Sequence, residues 1–244
     1  MYGLALLNSD YSGNCVTVRR ASDNATQNIG FDGQDLDIAA LESFCAGADG
    51  FVTTWFDQSG NGANATQTTA SSQPKIVSSG SVILENSKPA VSFDGVNDTL
   101  QYDFSPDEVQ PFTLFFVRRY RDVLSIYVGL GVDSTPNTGY AEIANVSQFR
   151  TYYGTYLVNG SSNTNQGLWY SLGNGVNSEI GLDSSTAMTG NAGTSGLELL
   201  SIGSAGGSAF FAPINTQSIV IYNSDQSSNR TGIETALNDY YNIF

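Results

Sequence analysis

Residues 55–67 have the sequence W-F-D-Q-S-G-N-G-A-N-A-T-Q, in which an apolar segment ends and a run of small polar residues begins. Gly60 and Gly62 can take the positive φ that a sharp chain reversal needs. Asp57 and Asn61 can hydrogen-bond to backbone N–H groups of the same turn. This stretch therefore predicts a tight turn directly after a buried strand.

Short apolar segments separated by Gly, Asn and Ser recur on both sides of this turn and often alternate with polar residues. This pattern is typical of the strands of a β-sandwich or jelly roll. The chain has 244 residues and an aromatic content of 11%, which suits one sandwich domain over residues 1–244 with a well-filled core. The predicted strands are residues 15–20, 51–56, 89–94, 99–103, 112–119, 124–130, 148–153, 198–203 and 217–222.

Two stretches have helical rather than strand-like spacing. Residues 37–47 place apolar side chains three and four positions apart, with Asp37 as a candidate N-cap and Gly47 as a stop. Residues 225–241 begin with polar residues and continue with apolar residues at helical spacing. Gly232 lowers the stability of such a helix by about 1 kcal/mol relative to Ala. We expect a short helix near residues 37–46 and a C-terminal helix.

Composition excludes several classes of function. A net charge of -14 repels phosphate backbones and anionic lipid, so nucleic acid is not an expected partner. The chain has no histidine, which excludes Ser-His-Asp and Cys-His catalysis and His-based metal sites. Cys15 and Cys45 are too few for a disulfide scaffold, and we expect free buried thiols. The N-terminus lacks the pattern of a signal peptide, and no apolar run is long enough to insert into a membrane.

Residues 55–67 closely resemble the W-Y-D-Q-S-G-x-G-x-x-x-T-Q signature of arabinofuranosidase-B-type domains, which are concanavalin A-like β-sandwiches that cleave arabinose from polysaccharides. Residues 93–98, F-D-G-V-N-D, resemble the F-D-G-x-x-D turn of laminin-G-like domains, and Asp94-Gly95 is a strong hairpin signal. The resemblance implies an all-β fold, a concanavalin A-like two-sheet β-sandwich (jelly roll).

The same resemblance gives expectations for the catalytic carboxylates. Retaining glycosidases use a nucleophile and an acid/base about 5 to 5.5 Å apart. Residues 139–143 resemble the G-x-x-E-A strand of the family, which implies that Glu142 is the nucleophile candidate. Residues 199–205 resemble I-L-G-I-G-G-D, which places Ala205 where the acid/base Asp would stand, and Glu198 at the start of that strand is too distant to replace it. The resemblance therefore implies a vestigial nucleophile and no complete catalytic pair.

Ligand sites can also be predicted. Glu142 could hydrogen-bond sugar hydroxyls, and an aromatic ring could stack on a sugar ring. The candidate rings are those of Tyr140, Tyr152 and Trp169. The alternatives are that Glu142 is an ordinary surface acid and that these rings belong to the core. The one cofactor that the residues suggest is calcium. Its candidate ligands are Asp94, Asn97 and Asp98, and residues 32–37 also crowd oxygen ligands into a turn. The basic runs Arg19-Arg20 and Arg118-Arg119 are expected to be solvated charges at strand ends.

The opening at residues 11–20 and the closing helix resemble domains of bacteriophage structural proteins. The first hypothesis is accordingly a non-catalytic, lectin-like virion structural protein, a capsid decoration or a fibre or tail adhesin, at the virion surface or extracellular. Its partners would be other virion proteins, further copies of itself or a host glycan. The alternatives are an active retaining arabinofuranosidase-like hydrolase that uses Glu142, and a secreted bacterial cell-surface adhesion domain.

Overall fold

A computed structural model describes residues 1–135, 139–145, 147–160 and 163–244. The α-helices are α1 (Ile38–Cys45) and α2 (Arg230–Tyr241), and the rest of the regular structure is mostly β-strand. Among the described residues, no helix is long and apolar enough to cross a membrane.

The strands of the first half are β1 (Tyr2–Gly3), β2 (Val16–Arg20), β3 (Thr26–Ile29), β4 (Phe31–Asp32), β5 (Asp35–Leu36), β6 (Gly50–Trp55), β7 (Ala65–Thr66), β8 (Lys75–Ser78), β9 (Ser81–Val82), β10 (Leu84–Glu85), β11 (Lys88–Pro89), β12 (Val91–Ser92) and β13 (Leu100–Glu108). Those of the second half are β14 (Phe112–Tyr120), β15 (Tyr127–Gly131), β16 (Tyr140–Ala144), β17 (Phe149–Tyr152), β18 (Tyr156–Asn159), β19 (Gln166–Gly173), β20 (Ser178–Leu182), β21 (Met188–Gly190), β22 (Leu197–Ile202) and β23 (Ile214–Tyr222).

Antiparallel pairing arranges the long strands in two layers. The front sheet has the order β13-β22-β15-β16-β17-β18. The back sheet has the order β12-β23-β14-β19-β20-β21. Strand β8 pairs with both β6 and β12, so the pairing continues around one side of the sandwich. The concanavalin A-like, jelly-roll class of fold is confirmed.

The core lies between the two sheets, where inner-face side chains of both pack in one cluster. Phe149 of the front sheet and Trp169 of the back sheet have ring centroids 6.1 Å apart. The Phe112 ring of the back sheet lies 5.0 Å from the Tyr153 ring, edge to face. Such aromatic pairs bury large areas and fix the distance between the layers.

The outer faces of the two sheets differ. Helix α2 covers the outer face of the back sheet, where Leu237 and Tyr241 pack against Phe115 and Val117. The outer face of the front sheet carries a smaller cluster of Val128, Tyr140, Ile143 and Ala205, with Tyr152 and Phe210 packed against it. The front sheet therefore has the less covered outer face.

The turn after β6 has the predicted form. Gly60 and Gly62 have φ of 86° and 75°. The carboxylate of Asp57 accepts hydrogen bonds from the backbone N–H groups of Ser59 (3.0 Å) and Ala63 (3.3 Å). Asn64 supplies the amide contact expected of Asn61, because its Oδ1 accepts from the Asp57 N–H at 3.0 Å. These residues shape the chain reversal, as the sequence indicates.

Both predicted helices are present. Asp37 caps α1, since its side chain accepts a hydrogen bond from the Ala40 N–H at 2.9 Å. The helix ends at Ala46, which has a left-handed φ of 49°, one residue before Gly47. Helix α2 begins at Arg230, later than predicted, after a short 3-10 turn. Cys15 and Cys45 are free and buried, which confirms the expectation for the thiols.

Several strand limits differ from the prediction. The segment predicted over residues 124–130 forms β15 only from Tyr127, and Leu124 lies in a loop with 80% of its surface exposed. Strand β19 has no counterpart among the predicted strands. It begins with small and polar residues, and it pairs with β14 along one edge and β20 along the other. Its two faces are buried by the core between the sheets and by α2.

Gly232 offers a test of the helical packing. It lies in the exposed part of α2, and a Cβ added there meets no heavy atom within 4 Å. We expect Gly232→Ala to raise the free energy of unfolding by about 0.5 to 1 kcal/mol, because Gly has more backbone freedom to lose on folding. Urea unfolding followed by circular dichroism measures the change.

Gly203→Ala is the matched control. Gly203 has a φ of 82°, and an added Cβ would lie 2.4 Å from the Phe93 ring. This substitution should lower stability. A destabilised Gly232→Ala protein would show that α2 does not have the backbone described above.

Candidate active site

Glu142 lies in the middle of β16, and its carboxylate points into the core between the sheets. Oε1 accepts hydrogen bonds from Nε of Arg118, at 2.7 Å, and from Nη2 of the same residue. Oε2 accepts from the hydroxyl of Tyr120 at 3.1 Å. The exposed fractions are 0% for Glu142 and 1% for Arg118. The nucleophile candidate is therefore part of a buried charged cluster that joins the front sheet to the back sheet.

Arg118 keeps its charge despite its burial. Burial alone would lower the pKa of the Arg118 guanidinium, but the adjacent Glu142 carboxylate more than offsets this effect, and the pKa is raised. Burial, reinforced by the charge of Glu142, raises the pKa of Tyr120 well above its ordinary value. The phenol therefore stays protonated and remains a hydrogen-bond donor to the carboxylate.

Gly129 of β15 makes room for this cluster. A Cβ at position 129 would lie 2.5 Å from the Tyr120 hydroxyl and 2.6 Å from Oε2 of Glu142. On the other side, a Cβ at Gly167 would lie 2.7 Å from Nη1 of Arg118 and 3.1 Å from Oδ1 of Asp183. Two glycines thus leave the space that the guanidinium, the phenol and the carboxylate occupy.

Arg118 is the functional candidate that the sequence prediction missed, and the expectation that it is a solvated strand-end charge was wrong. In β14, Arg118 lies two positions from Phe116 and two from Tyr120, so its side chain points to the same inner face as these two core residues. This spacing of two was the available signal. Arg119 fits the expectation better, since its guanidinium is partly exposed and contacts the buried Glu85 carboxylate at 3.3 Å.

Ala205, the position that the resemblance assigns to the acid/base, lies on the opposite face of the front sheet. It packs with Val128, Tyr140 and Ile143 in the outer cluster, and its N–H donates to the carbonyl of Ala209 at 2.8 Å. Arg118 and Tyr120 are the side chains that bond the Glu142 carboxylate among the described residues, and neither is a carboxyl group. The role of Glu142 in catalysis stays a prediction.

The predicted stacking residues are placed differently from one another. Trp169 is fully buried, and its Nε1 donates to the carbonyl of Ala141 at 2.9 Å, so it belongs to the core. Tyr140 is buried in the outer cluster beneath Ala205. Tyr152 is only half-buried, and its ring centroid lies 5.9 Å from that of Tyr140. Tyr152 is thus the one of these three aromatic rings that solvent partly reaches.

The turn at residues 94–98 is held together by its own carboxylates. Oδ1 of Asp94 accepts from the N–H groups of Val96 (2.8 Å) and Asn97 (3.1 Å), and Oδ2 of Asp98 accepts from the Asp94 N–H at 2.9 Å. Burial, with the nearby charge of Asp94 as a second cause, raises the pKa of Asp98 to about 7. Among the described residues, no group of three or more His, Cys, Asp or Glu side chains is placed to hold a metal ion. Calcium binding at this turn or at residues 32–37 stays a prediction.

A cavity of about 160 Å³ lies beside the signature turn, and Tyr102, Phe104 and Glu108 of β13 line one side of it. Asp57 also borders the cavity. Its oxygens accept hydrogen bonds from the Met1 amino group (2.7 Å) and from the turn described above. The Asp57 carboxylate of the signature motif therefore stabilises the turn through these hydrogen bonds.

Comparison with known proteins finds similarity to the same family that the motifs resemble. Residues 4–94 match the family model of the catalytic domain of α-L-arabinofuranosidase B. A probable α-L-arabinofuranosidase B from Aspergillus terreus is 44% identical over 63 residues, which are 25% of this chain and 12% of that protein. The resemblance to arabinofuranosidase B is confirmed.

Solved structures show the extent of the shared fold. An arabinofuranosidase complexed with arabinofuranosyl-α-1,2-xylobiose has a TM-score of 0.65 at 16% identity, over 96% of this chain and 61% of that chain. A Trypanosoma rangeli sialidase, in complex with the inhibitor DANA, has a TM-score of 0.52 at 14% identity, over 72% of this chain and 30% of that chain. The chain thus spans less than two thirds of each relative, and these similarities show the fold.

These findings overturn the first functional hypothesis. The prediction of a non-catalytic, lectin-like bacteriophage virion protein, whether capsid decoration, fibre or tail adhesin, was wrong, because the family model and the relatives are those of arabinofuranosidases. The alternative, an arabinofuranosidase-like glycoside hydrolase, fits them better. That hypothesis rested on Ala205 at the acid/base position and on the resemblance of residues 11–20 and the closing helix to bacteriophage domains.

The buried ion pair gives a stability prediction. Glu142→Gln leaves the Arg118 guanidinium without its counter-charge, and Arg118→Met leaves the carboxylate with Tyr120 alone. Each single variant should lose about 3 to 5 kcal/mol of unfolding free energy. The double variant should lose less than the sum of the two, because no uncompensated charge remains. Urea unfolding of the four proteins measures the coupling, and additive losses would contradict the described pair.

Asp98 gives a pH prediction. Because its pKa in the folded protein, about 7, lies above the unfolded value, the folded state binds more protons between about pH 4 and 7. The associated stability is present below about pH 4 and is lost as the pH rises through 7. Asp98→Asn should remove this loss and be more stable than the unchanged protein at pH 8 by about 2 kcal/mol.

Thermal and urea unfolding at pH 4, 6 and 8 test this prediction, with the exposed Asp103→Asn as control. Parallel pH profiles for the unchanged protein and Asp98→Asn would show that the carboxyl group is not held in the environment described.

Proposed function

We propose that this chain is a glycoside hydrolase of the arabinofuranosidase B type, which removes α-L-arabinofuranosyl groups with Glu142 as nucleophile. The observation that carries the proposal is the match of residues 4–94 to the catalytic family. The fold of an arabinofuranosidase, which extends over 96% of the chain, supports it beyond that region. We assign Glu142 as the nucleophile because it lies in β16, within the segment 139–143 that resembles the family motif containing the catalytic Glu.

The surroundings of Glu142 suit one requirement of a nucleophile, which is to be held in place. Two guanidinium N–H groups and one phenolic O–H donate to the carboxylate, and these bonds fix its position. In a retaining mechanism, a carboxylate oxygen attacks the anomeric carbon while a second carboxyl group protonates the departing oxygen. Water, deprotonated by that same group, then hydrolyses the glycosyl-enzyme ester.

A second requirement, access to the substrate, is not met in this conformation. The carboxylate of Glu142 has no exposed surface and contacts side chains of the opposite sheet. The proposal therefore includes a rearrangement in which Glu142 exchanges its bonds with Arg118 and Tyr120 for contact with the sugar. Arg118 is then the residue that stabilises the carboxylate in the conformation described above.

The proton donor has to come from a position other than 205. Asp133 and Glu198 border the loop that contains Ala205. A Cβ at Gly206 would lie 2.7 Å from the carbonyl oxygen of Ser134 and 3.4 Å from that of Asp133. Glu198 accepts a hydrogen bond from the Ser134 hydroxyl at 2.6 Å. We assign both carboxyl groups as proton-donor candidates, and for Glu198 the proposal departs from the expectation, drawn from the sequence, that this residue is too distant.

The test is hydrolysis of 4-nitrophenyl α-L-arabinofuranoside and of an arabinofuranosyl-substituted xylo-oligosaccharide. The unchanged protein should release 4-nitrophenol and arabinose. Glu142→Ala should lower kcat by a thousandfold or more, on the order of losses seen when a nucleophile is removed. Sodium azide should restore release of 4-nitrophenol from this variant, because a small anion can fill the space and attack in place of the carboxylate.

Controls separate chemistry from folding. Glu108→Gln changes a half-buried carboxylate of β13 away from this cluster and should leave kcat unchanged. Circular dichroism of Glu142→Ala establishes that the variant is folded at the assay temperature. Asp133→Asn and Glu198→Gln identify the proton donor. Substitution of the true donor should slow the hydrolysis of substrates with poor leaving groups more than that of aryl substrates. A folded protein that hydrolyses no arabinofuranoside would contradict the proposal.

A further inference from the structure

Three tyrosines form a continuous row across the outer face of the front sheet. Tyr140 of β16 is the register partner of Tyr152 of β17, which is in turn the partner of Tyr156 of β18. Their ring centroids are 5.9 Å and 4.6 Å apart. Exposure rises along the row, from the buried Tyr140 through the half-buried Tyr152 to Tyr156, which is 47% exposed.

Arg150 lies on the same face, two residues before Tyr152 in β17. Its guanidinium carbon is 4.6 Å from the centroid of the Tyr156 ring, a cation–π contact. Its Nε is buried and has no hydrogen-bond partner among the described residues. A buried donor without a partner is costly, and a bound ligand is one way in which it becomes satisfied.

The position of this row in the fold also points to a ligand. The equivalent outer face of the back sheet is closed by α2. On the front sheet, Ala205 and Phe210 pack in the cluster that contains Tyr140 and touches Tyr152, and Tyr156 is not part of it among the residues that the structure describes. The open rings of Tyr152 and Tyr156 therefore begin beside the position that the arabinofuranosidase motif assigns to its acid/base, where a substrate would be held.

We propose that Tyr152, Tyr156 and Arg150, hereafter the tyrosine platform, bind the pyranose units of a neutral polysaccharide main chain. The inference rests on the proposed function for its ligand class, an arabinose-bearing polysaccharide. The C–H face of a pyranose ring stacks on an aromatic ring, and its hydroxyl oxygens can accept from the half-buried guanidinium group of Arg150. The net charge of -14 disfavours an anionic polysaccharide in spite of the arginine.

Binding is measured without turnover, by isothermal titration calorimetry and affinity electrophoresis on the full chain. The probes are arabinoxylan, unsubstituted xylo-oligosaccharides and polygalacturonate. Tyr156→Ala should weaken binding of the two neutral probes by about 3- to 10-fold, the range expected for one aromatic contact. Arg150→Gln should weaken it as well, and polygalacturonate should not bind.

Phe244→Ala is the matched control. Phe244 is also an exposed aromatic residue, with 52% exposure, but it follows α2 on the other side of the sandwich. Its removal should leave polysaccharide binding unchanged. Tyr156 is exposed, so its substitution should leave the fold intact, as circular dichroism will establish.

Several outcomes distinguish this inference from the proposed function. Binding that is lost in Tyr156→Ala but kept in Phe244→Ala supports the platform, even if the unchanged protein hydrolyses no arabinofuranoside. In an active protein, Tyr156→Ala should raise KM for arabinoxylan and leave kcat on the aryl substrate unchanged. The platform is overturned if the unchanged protein binds neither neutral probe. It is also overturned if Tyr156→Ala changes only the molar mass in light scattering, because the row would then be a contact between copies of the chain.

Discussion

The buried pair of Arg118 and Glu142 is the interaction on which the arrangement of the two sheets depends. It crosses the sandwich from β14 to β16, and both of its side chains are fully buried. Charges in such a place are tolerated only when each is paired and further hydrogen-bonded, and here the Tyr120 hydroxyl completes the set. The absence of a side chain at Gly129 is part of the same arrangement, because any Cβ would displace the phenol or the carboxylate.

Local chemistry made much of the fold predictable. The turn at residues 57–62 and the N-cap of α1 depend on neighbours within a few positions, and both were found from the sequence. Arg118 shows where this approach ends. Two adjacent arginines at the end of an apolar segment are indistinguishable from solvated charges until their partners are known. The partner of Arg118 is 24 positions away in the chain, and only the folded sandwich brings the two together.

The candidate site was less predictable, because it depends on which way a strand faces. Side chains alternate between the two faces of a sheet, so an irregularity of one residue moves a side chain to the other side. The pairing of β15 with β16 has such irregularities, between Val128 and Leu130 and again between Leu130 and Gly131. They leave Glu142 facing the core while Tyr140, Ile143 and Ala205 lie on the outer face. A motif match fixes the position of Glu142 along the chain, but not this orientation.

The two free cysteines determine how the stability of the protein depends on reducing conditions. Cys15 and Cys45 are enclosed, and the sulfur of Cys15 donates to the carbonyl of Gly3 at 3.3 Å. Burial raises the pKa of Cys15, which leaves little thiolate to react with oxidants or disulfides. Because Cys15 and Cys45 are not joined by a disulfide, a reductant has no cross-link between them to break. The stability of the folded chain should therefore be the same with and without a reductant.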